Sequence, residues 1–408
     1  MKNLLIIALI LLSSVGMAQT AKVVTTNGGA DDVYFSFSNN EVQRINRATW
    51  DIGFTTKGFD ASILINENAG VELFLYGNNI AAWDQVDTTG FVWNNSYNSE
   101  ESWTLGAFAN QGTSHPDYGW GTYTQTNHDI NGDRIFIIKL SDKNYKQIMV
   151  EKMSAAGVYT VKLADLGGAN TNSFSLNKKD AAYTSKNFVL YSLVSNEVVN
   201  EEPNNDSWDL LFTKYITIVQ QGPVTQPYLV SGVKVNAGYE VAERTGFPTS
   251  SNDTSMLVWD TKITEIGSDW KTFNSSTFQY DITSDLTYFV RTQKGEVWKI
   301  FFTDYKGGTE GGFYFNIERV SGSASVGQYS ALNSRVYPNP AVNNITVESQ
   351  ENTNLIGSLI DMQGRRVRSL ELLPFETNTI ETIDLARGIY TLVLRGENGM
   401  SSKKVILE

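Results

Sequence analysis

The sequence has no cysteine among its 408 residues. That excludes disulfides, thiolate metal sites, cysteine nucleophiles and an acylated cysteine anchor. Histidine is nearly as scarce, with only His115 and His128, so most acid–base and nucleophile schemes lack their parts. Walker, Gly-x-Ser-x-Gly and His-Glu-x-x-His motifs are missing. Proline is sparse, 8 residues against 33 glycines, which fits tight turns rather than a stiff stalk. No basic cluster stands out, and the net charge is −12. A nucleic-acid partner needs a basic patch to displace counterions, so none is expected. A net charge this far from zero favours solubility.

Long apolar runs are also missing, save one at the N-terminus. Lys2 is followed by the apolar stretch Leu4 to Leu12, then by the small residues of Gly16-Met17-Ala18. A basic start, a short apolar core and small residues make a secretory signal. Cleavage is expected between Ala18 and Gln19. The run is too short to cross ~30 Å of hydrocarbon, and no transmembrane segment is expected in the mature chain.

Aromatics are plentiful, with 19 Tyr, 20 Phe and 9 Trp. They fall in short runs with β-branched residues, which are strand signals. Several runs recur in order. Tyr34-Phe35-Ser36-Phe37 and Asn40-Glu41-Val42 precede Trp50-Asp51-Ile52-Gly53-Phe54; Phe188 to Leu193 and Asn196-Glu197-Val198 precede Trp208-Asp209-Leu210-Leu211-Phe212. Ile63-Leu64-Ile65-Asn66 then matches Val233-Lys234-Val235-Asn236, and Trp103 is paired with Trp270. Phe136 and Tyr145-Lys146 match Phe289 and Trp298-Lys299 at the same spacing. Ordered matches at drifting offsets indicate a duplication with loop insertions. The copies are placed at 19–168 and 169–320.

These blocks resemble the HmuY-like family of Bacteroidetes, on the Tyr-Phe-Ser-Phe opening, the Trp-Asp strand, the strand ending in Asn, and Trp298-Lys299 with Asp304 to Gly308. The resemblance implies an all-β, haem-binding protein. The chain departs from it in lacking an anchor cysteine.

A small polar linker, 321–335, precedes residues 336–408. There, Tyr337-Pro338-Asn339-Pro340, Gly388-Ile389-Tyr390 and the closing Lys403-Lys404-Val405-Ile406-Leu407 occur in order, with turns at Asp361 to Gly364 and Glu397 to Gly399. This module resembles the C-terminal sorting domain (type A) of the type IX secretion system. The resemblance implies the secretion machinery as a partner and a secreted or outer cell-surface location, reached through the periplasm. The fold class expected is all-β: two tandem related β-rich units and a small C-terminal Ig-like β-sandwich.

Four candidate chemistries come from the residues. His115 and His128, among Tyr118, Trp120 and Tyr123, are candidates for holding a haem iron, since paired imidazoles serve that role. No aliphatic run or basic cluster adjoins them, so no cofactor and no tight haem binding is expected. Asp129 to Asp133 superficially suggests calcium, but the glycine and the closing acid of an EF-hand loop are misplaced. A hairpin turn at Asn131-Gly132 is expected instead, and no metal site. Glu41 with Asp51, and Glu197 with Asp209, recur as carboxylate pairs. Asp51 and Asp209 are expected on a solvated strand face. Trp93, Trp103 and Trp120 either stack on a ligand or fill a core, the core being the default. No catalytic residue is assigned. The functional expectation is a non-enzymatic, HmuY-like binding protein for a small hydrophobic or aromatic ligand. The alternatives are a structural or adhesive scaffold, a haem-binding protein through His115 and His128, and an undetected hydrolase.

Overall fold

The computed structural model describes residues 19–408 except 27, 222, 322–333, 350–353, 362–365, 376 and 397–398. The expected signal peptide, with Ala18, lies outside the described residues, as do most of the expected linker and parts of both turns expected after residue 360. The architecture is all-β, as expected. The one α-helix among the described residues is the single turn Gly307–Glu310. The chain divides into two compact units, one ending at Gly322 and one beginning at Ser323.

In the first unit, one large sheet runs Asn172–Asn177, Val158–Asp165, Tyr145–Met153, Ile135–Lys139, Glu72–Gly77 and Asn95–Ser96. A second runs Gln19–Val24, Gly312–Ser321, Val297–Tyr305, Thr287–Arg291 and Glu240–Arg244. The strands between them are exchanged. Asp31–Ser36 pairs antiparallel with Leu210–Gln221, setting Val33 opposite Phe212. Phe188–Ser192 pairs with Ile52–Thr55, setting Val189 opposite Phe54. Gln19–Val24 closes the second sheet, with Val23 opposite Phe313. Segments 19–168 and 169–320 therefore interleave, and each core draws strands from both.

Asp31–Ser36 and Phe188–Ser192 are buried along their whole length. Alternate side chains leave a strand on opposite faces. Val33 and Phe35 enter one core with Phe212, Trp270 and Phe315, while Tyr34 enters a central cluster with Leu64, Phe188, Leu190, Trp208 and Leu211. Val189 and Tyr191 enter the other core with Phe54, Trp120 and Phe136. A strand covered on both faces reads as an apolar run rather than an alternation. That is why residues 34–37 and 188–191 look alike in sequence.

Two expectations are corrected here. Asp51 and Asp209 do not face solvent. Asp51 is fully buried; its Oδ2 accepts the Leu193 N–H at 2.8 Å and its Oδ1 the Ser141 N–H at 2.9 Å. Asp209 Oδ2 accepts the Phe37 N–H at 2.6 Å and its Oδ1 the Tyr239 hydroxyl at 2.8 Å. Each carboxylate satisfies the backbone just where an exchanged strand turns away, which is a stronger constraint than the pleat alone. Asn66 and Asn236 support the same corners, donating through Nδ2 to the Trp50 and Trp208 carbonyls at 3.0 and 2.7 Å. The second correction concerns Trp270, which precedes the strand Lys271–Asn274. The tryptophan so placed in the first segment is Trp120, before Gly121–Thr124, not Trp103. Trp103 donates Nε1 to the Val235 carbonyl at 2.9 Å.

The C-terminal unit has two sheets, ordered Ser334–Tyr337, Asn344–Ser349, Thr377–Glu381 and Arg366–Leu372, Leu355–Ile360, Gly388–Gly396, Gly399–Leu407. Ile345, Val347, Leu359, Leu392, Leu394 and Val405 form its core. Asn339 pins the last strand, accepting from Ile406 N–H at 2.8 Å and donating to the Lys404 carbonyl at 2.7 Å. Tyr390 is buried and its hydroxyl donates to the Ala386 carbonyl at 2.7 Å. Lys403 and Lys404 are exposed, opposite Leu392 and Thr391.

Candidate functional site

The two histidines come together. A hairpin of Gly121–Thr124 and Asp129–Gly132 projects beside the sheet strand Tyr145–Met153. Its turn is 125–128, so the turn expected at Asn131-Gly132 lies instead inside a strand. The His128 N–H closes the turn on the Thr124 carbonyl at 2.9 Å. His128 takes a left-handed backbone, φ 59°, and its Nδ1 meets the Tyr123 hydroxyl at 2.5 Å. The His115 ring lies 5.2 Å from the same phenol ring.

Asp117 fixes the approach of His115. It takes a two-pronged ion pair from Arg134 at 2.8 and 2.9 Å and accepts the Gly119 N–H at 2.8 Å. The Arg134 guanidinium holds its carboxyl down at about 2. Backbone bonds from Tyr123 N–H to Pro116 O, 2.8 Å, and Tyr118 N–H to Gly121 O, 2.9 Å, tie the loop to the hairpin.

The opposite wall comes from distant segments. Met153, Ser154, Ala155 and Gly157 supply a turn, and Gly58 and Phe59 a second one. Lys178 and Lys179 follow the strand Asn172–Asn177. Lys178 is buried; its ammonium donates to the Asp60 and Lys57 carbonyls, and burial brings it down to about 8. Phe59 is 87% exposed at the rim. The cleft enclosed has a volume of about 870 Å³, within the range of small-molecule sites, ~300–1,000 Å³. None of its lining residues is acidic.

The lysines and the apolar pair Ile130 and Met153 answer what the local sequence of the histidines lacked. Sequence reasoning missed Met153, Lys178 and Lys179 because other strands bring them. The remaining candidates lie elsewhere. Trp120 is core, with Nε1 on the Ala61 carbonyl at 3.0 Å. Trp93 is 45% exposed and stacks edge-on with Phe74, Phe91 and Tyr145. Glu41 pairs with Arg44 at 2.8 Å, away from the buried Asp51. Asp129 is taken by Lys152 at 2.5 Å and by the Ala155 N–H at 2.9 Å. Among the described residues no group of three His, Asp or Glu side chains is placed to hold a metal ion.

Comparison with known proteins bears on the second unit. A family model described as a secretion system C-terminal sorting domain matches residues 335–408. The module that carries Tyr337, Asn339, Tyr390 and Lys404 is therefore a type IX sorting domain, and the chain is exported to the cell surface or beyond, with the secretion machinery as partner. No helix among the described residues is long and apolar enough to cross a membrane. No curated protein matches the chain.

Proposed function

We propose that this exported protein is a non-enzymatic binding protein, and that its ligand enters the cleft holding His115 and His128. The ligand class is a small aromatic or hydrophobic molecule that carries an acidic group. The lining supports this reading. Phe59, Tyr118 and Tyr123 offer ring faces and Ile130 and Met153 apolar cover, while the exposed Lys179 stands at the edge and the buried Lys178 lies in the wall. The chain as a whole, at net charge −12, repels anions. A cleft without a single acidic lining residue is the exception to that field. Binding is favoured over catalysis because no lining carboxylate orients either imidazole.

On this reading, residues 19–168 and 169–320 are related copies of HmuY-like type that have exchanged strands. The paired corners at Asp51 and Asp209, and at Asn66 and Asn236, support it. A structural or adhesive scaffold is the competing reading. An aryl sulfonate dye, 8-anilinonaphthalene-1-sulfonate, titrated into the folded mature chain separates them. Saturable fluorescence at one site is expected, weakened at least tenfold in the Phe59→Ser, His115→Ala double variant. A linear signal, or saturation that the double variant leaves unchanged, favours the scaffold.

A further inference from the structure

The second large sheet carries its own projecting hairpin, Lys271–Asn274 with Gln279–Ile282. Its turn is closed as the histidine hairpin is: the Phe278 N–H meets the Asn274 carbonyl at 2.8 Å. Phe278 sits at φ 56° and stands where His128 stands in the other hairpin. A bulky residue at positive φ is strained, and such strain persists where something else requires the side chain. Packing does not require it here, since Phe278 is 81% exposed and its neighbour Phe273 is 51% exposed.

These rings border a cleft of about 360 Å³. Phe273 lies 5.3 Å from Tyr280, and Tyr280 lies 4.9 Å from Tyr305. Beside the rings are the Gln279 amide and an ion pair between Asp304 and Lys306. The first cleft has no acid; this one has a carboxylate balanced by an ammonium. An apolar partner laid on the rings would strip water from that pair without replacing its hydrogen bonds, which is costly. A pyranose ring does both jobs. Its axial C–H groups meet the negative faces of the aromatics. Its equatorial hydroxyls, each a donor and an acceptor, satisfy the carboxylate, ammonium and amide.

We propose that this second cleft binds a neutral, β-linked pyranose saccharide through Phe273, Phe278 and Tyr280, with Gln279, Asp304 and Lys306 taking its hydroxyls. The site is independent of the histidine cleft. Native affinity electrophoresis of the mature chain through gels containing hydroxyethylcellulose or xylan tests it. Retardation is expected in at least one gel. The Phe273→Ala, Phe278→Ala double variant should lose at least tenfold in the derived affinity. Phe278→Asn alone removes a ring while relieving its backbone, so it should weaken binding with its melting temperature unchanged or raised. Free migration in both gels, or retardation that survives both variants, overturns the proposal.

Discussion

Asp209 accepts the backbone N–H of Phe37 at 2.6 Å, joining residues 172 positions apart. Asp51 does the same for Leu193 at 2.8 Å, across 142 positions. Each carboxylate stands at the start of a strand from one segment and holds the end of a strand from the other. The two bonds are the chemical form of the strand exchange, and they explain why the Trp-Asp pair recurs.

Removing either carboxylate leaves buried donors without acceptors. Asp209→Ala strands the Phe37 N–H and the Tyr239 hydroxyl, and each unsatisfied group costs about 1–3 kcal/mol. Urea unfolding of a chain truncated after residue 321 should show a destabilisation of that order. Because both cores contain strands from both segments, the loss should appear in one cooperative transition. Two separate transitions, only one of them shifted by Asp209→Ala, would contradict the interleaved fold.

Glu202 gives the central cluster a pH dependence. It is buried, and that burial pushes its carboxyl up to about 8, against the Phe188 N–H and the Lys186 charge that favour ionisation. The unfolded value is near 4.5. Between these values the folded chain keeps a proton that the unfolded chain has lost, so stability is greatest below the lower value and falls as pH rises towards the upper one. Glu202→Gln keeps an acceptor for Phe188 and removes the titration. The urea midpoint of the natural chain should fall between pH 5 and pH 8.5, and the variant's should fall less. Parallel profiles would mean that Glu202 is ionised throughout.

Much of this fold was legible because its strands are apolar runs bounded by turn residues. Trp50-Asp51 and Trp208-Asp209 were found as a recurring motif, but their carboxylates were placed in solvent. Strand alternation gives a face and not what covers it, and the covering strands come from more than 140 residues away. Trp103 was matched to Trp270 on order alone, whereas it is Trp120 that precedes a hairpin, as Trp270 does. His115 and His128 were visible as the only histidines. The lysines opposite them were not, since nothing in the sequence near residue 178 refers to residue 128.

The sorting module yields a prediction about export. Asn339 holds the terminal strand by two hydrogen bonds, which leaves Lys403 and Lys404 displayed on it. Deleting residues 336–408 should leave the rest of the chain in the periplasm of its native host, as read by fractionation and immunoblot. Undiminished protein on the surface or in the medium would mean that the module is not the export address.

The last prediction concerns haem. An iron held by both imidazoles needs a free nitrogen from each, ~2 Å away on opposite faces, so the rings must confront each other about 4 Å apart. The Tyr123 phenol lies beside both rings. It hydrogen-bonds His128 Nδ1 at 2.5 Å, and its ring lies 5.2 Å from that of His115. His128 is further held by its closed turn, and the His115 loop by Asp117 and Arg134. Bringing the His115 ring opposite the remaining nitrogen of His128 would move a braced loop. No tight bis-histidine haem binding is therefore predicted, although the cleft is wide enough for a flat ligand. Hemin titrated into the mature chain at pH 7.5 should give no saturable low-spin Soret band. A one-to-one low-spin spectrum that disappears in the His115→Ala, His128→Ala double variant would overturn this prediction.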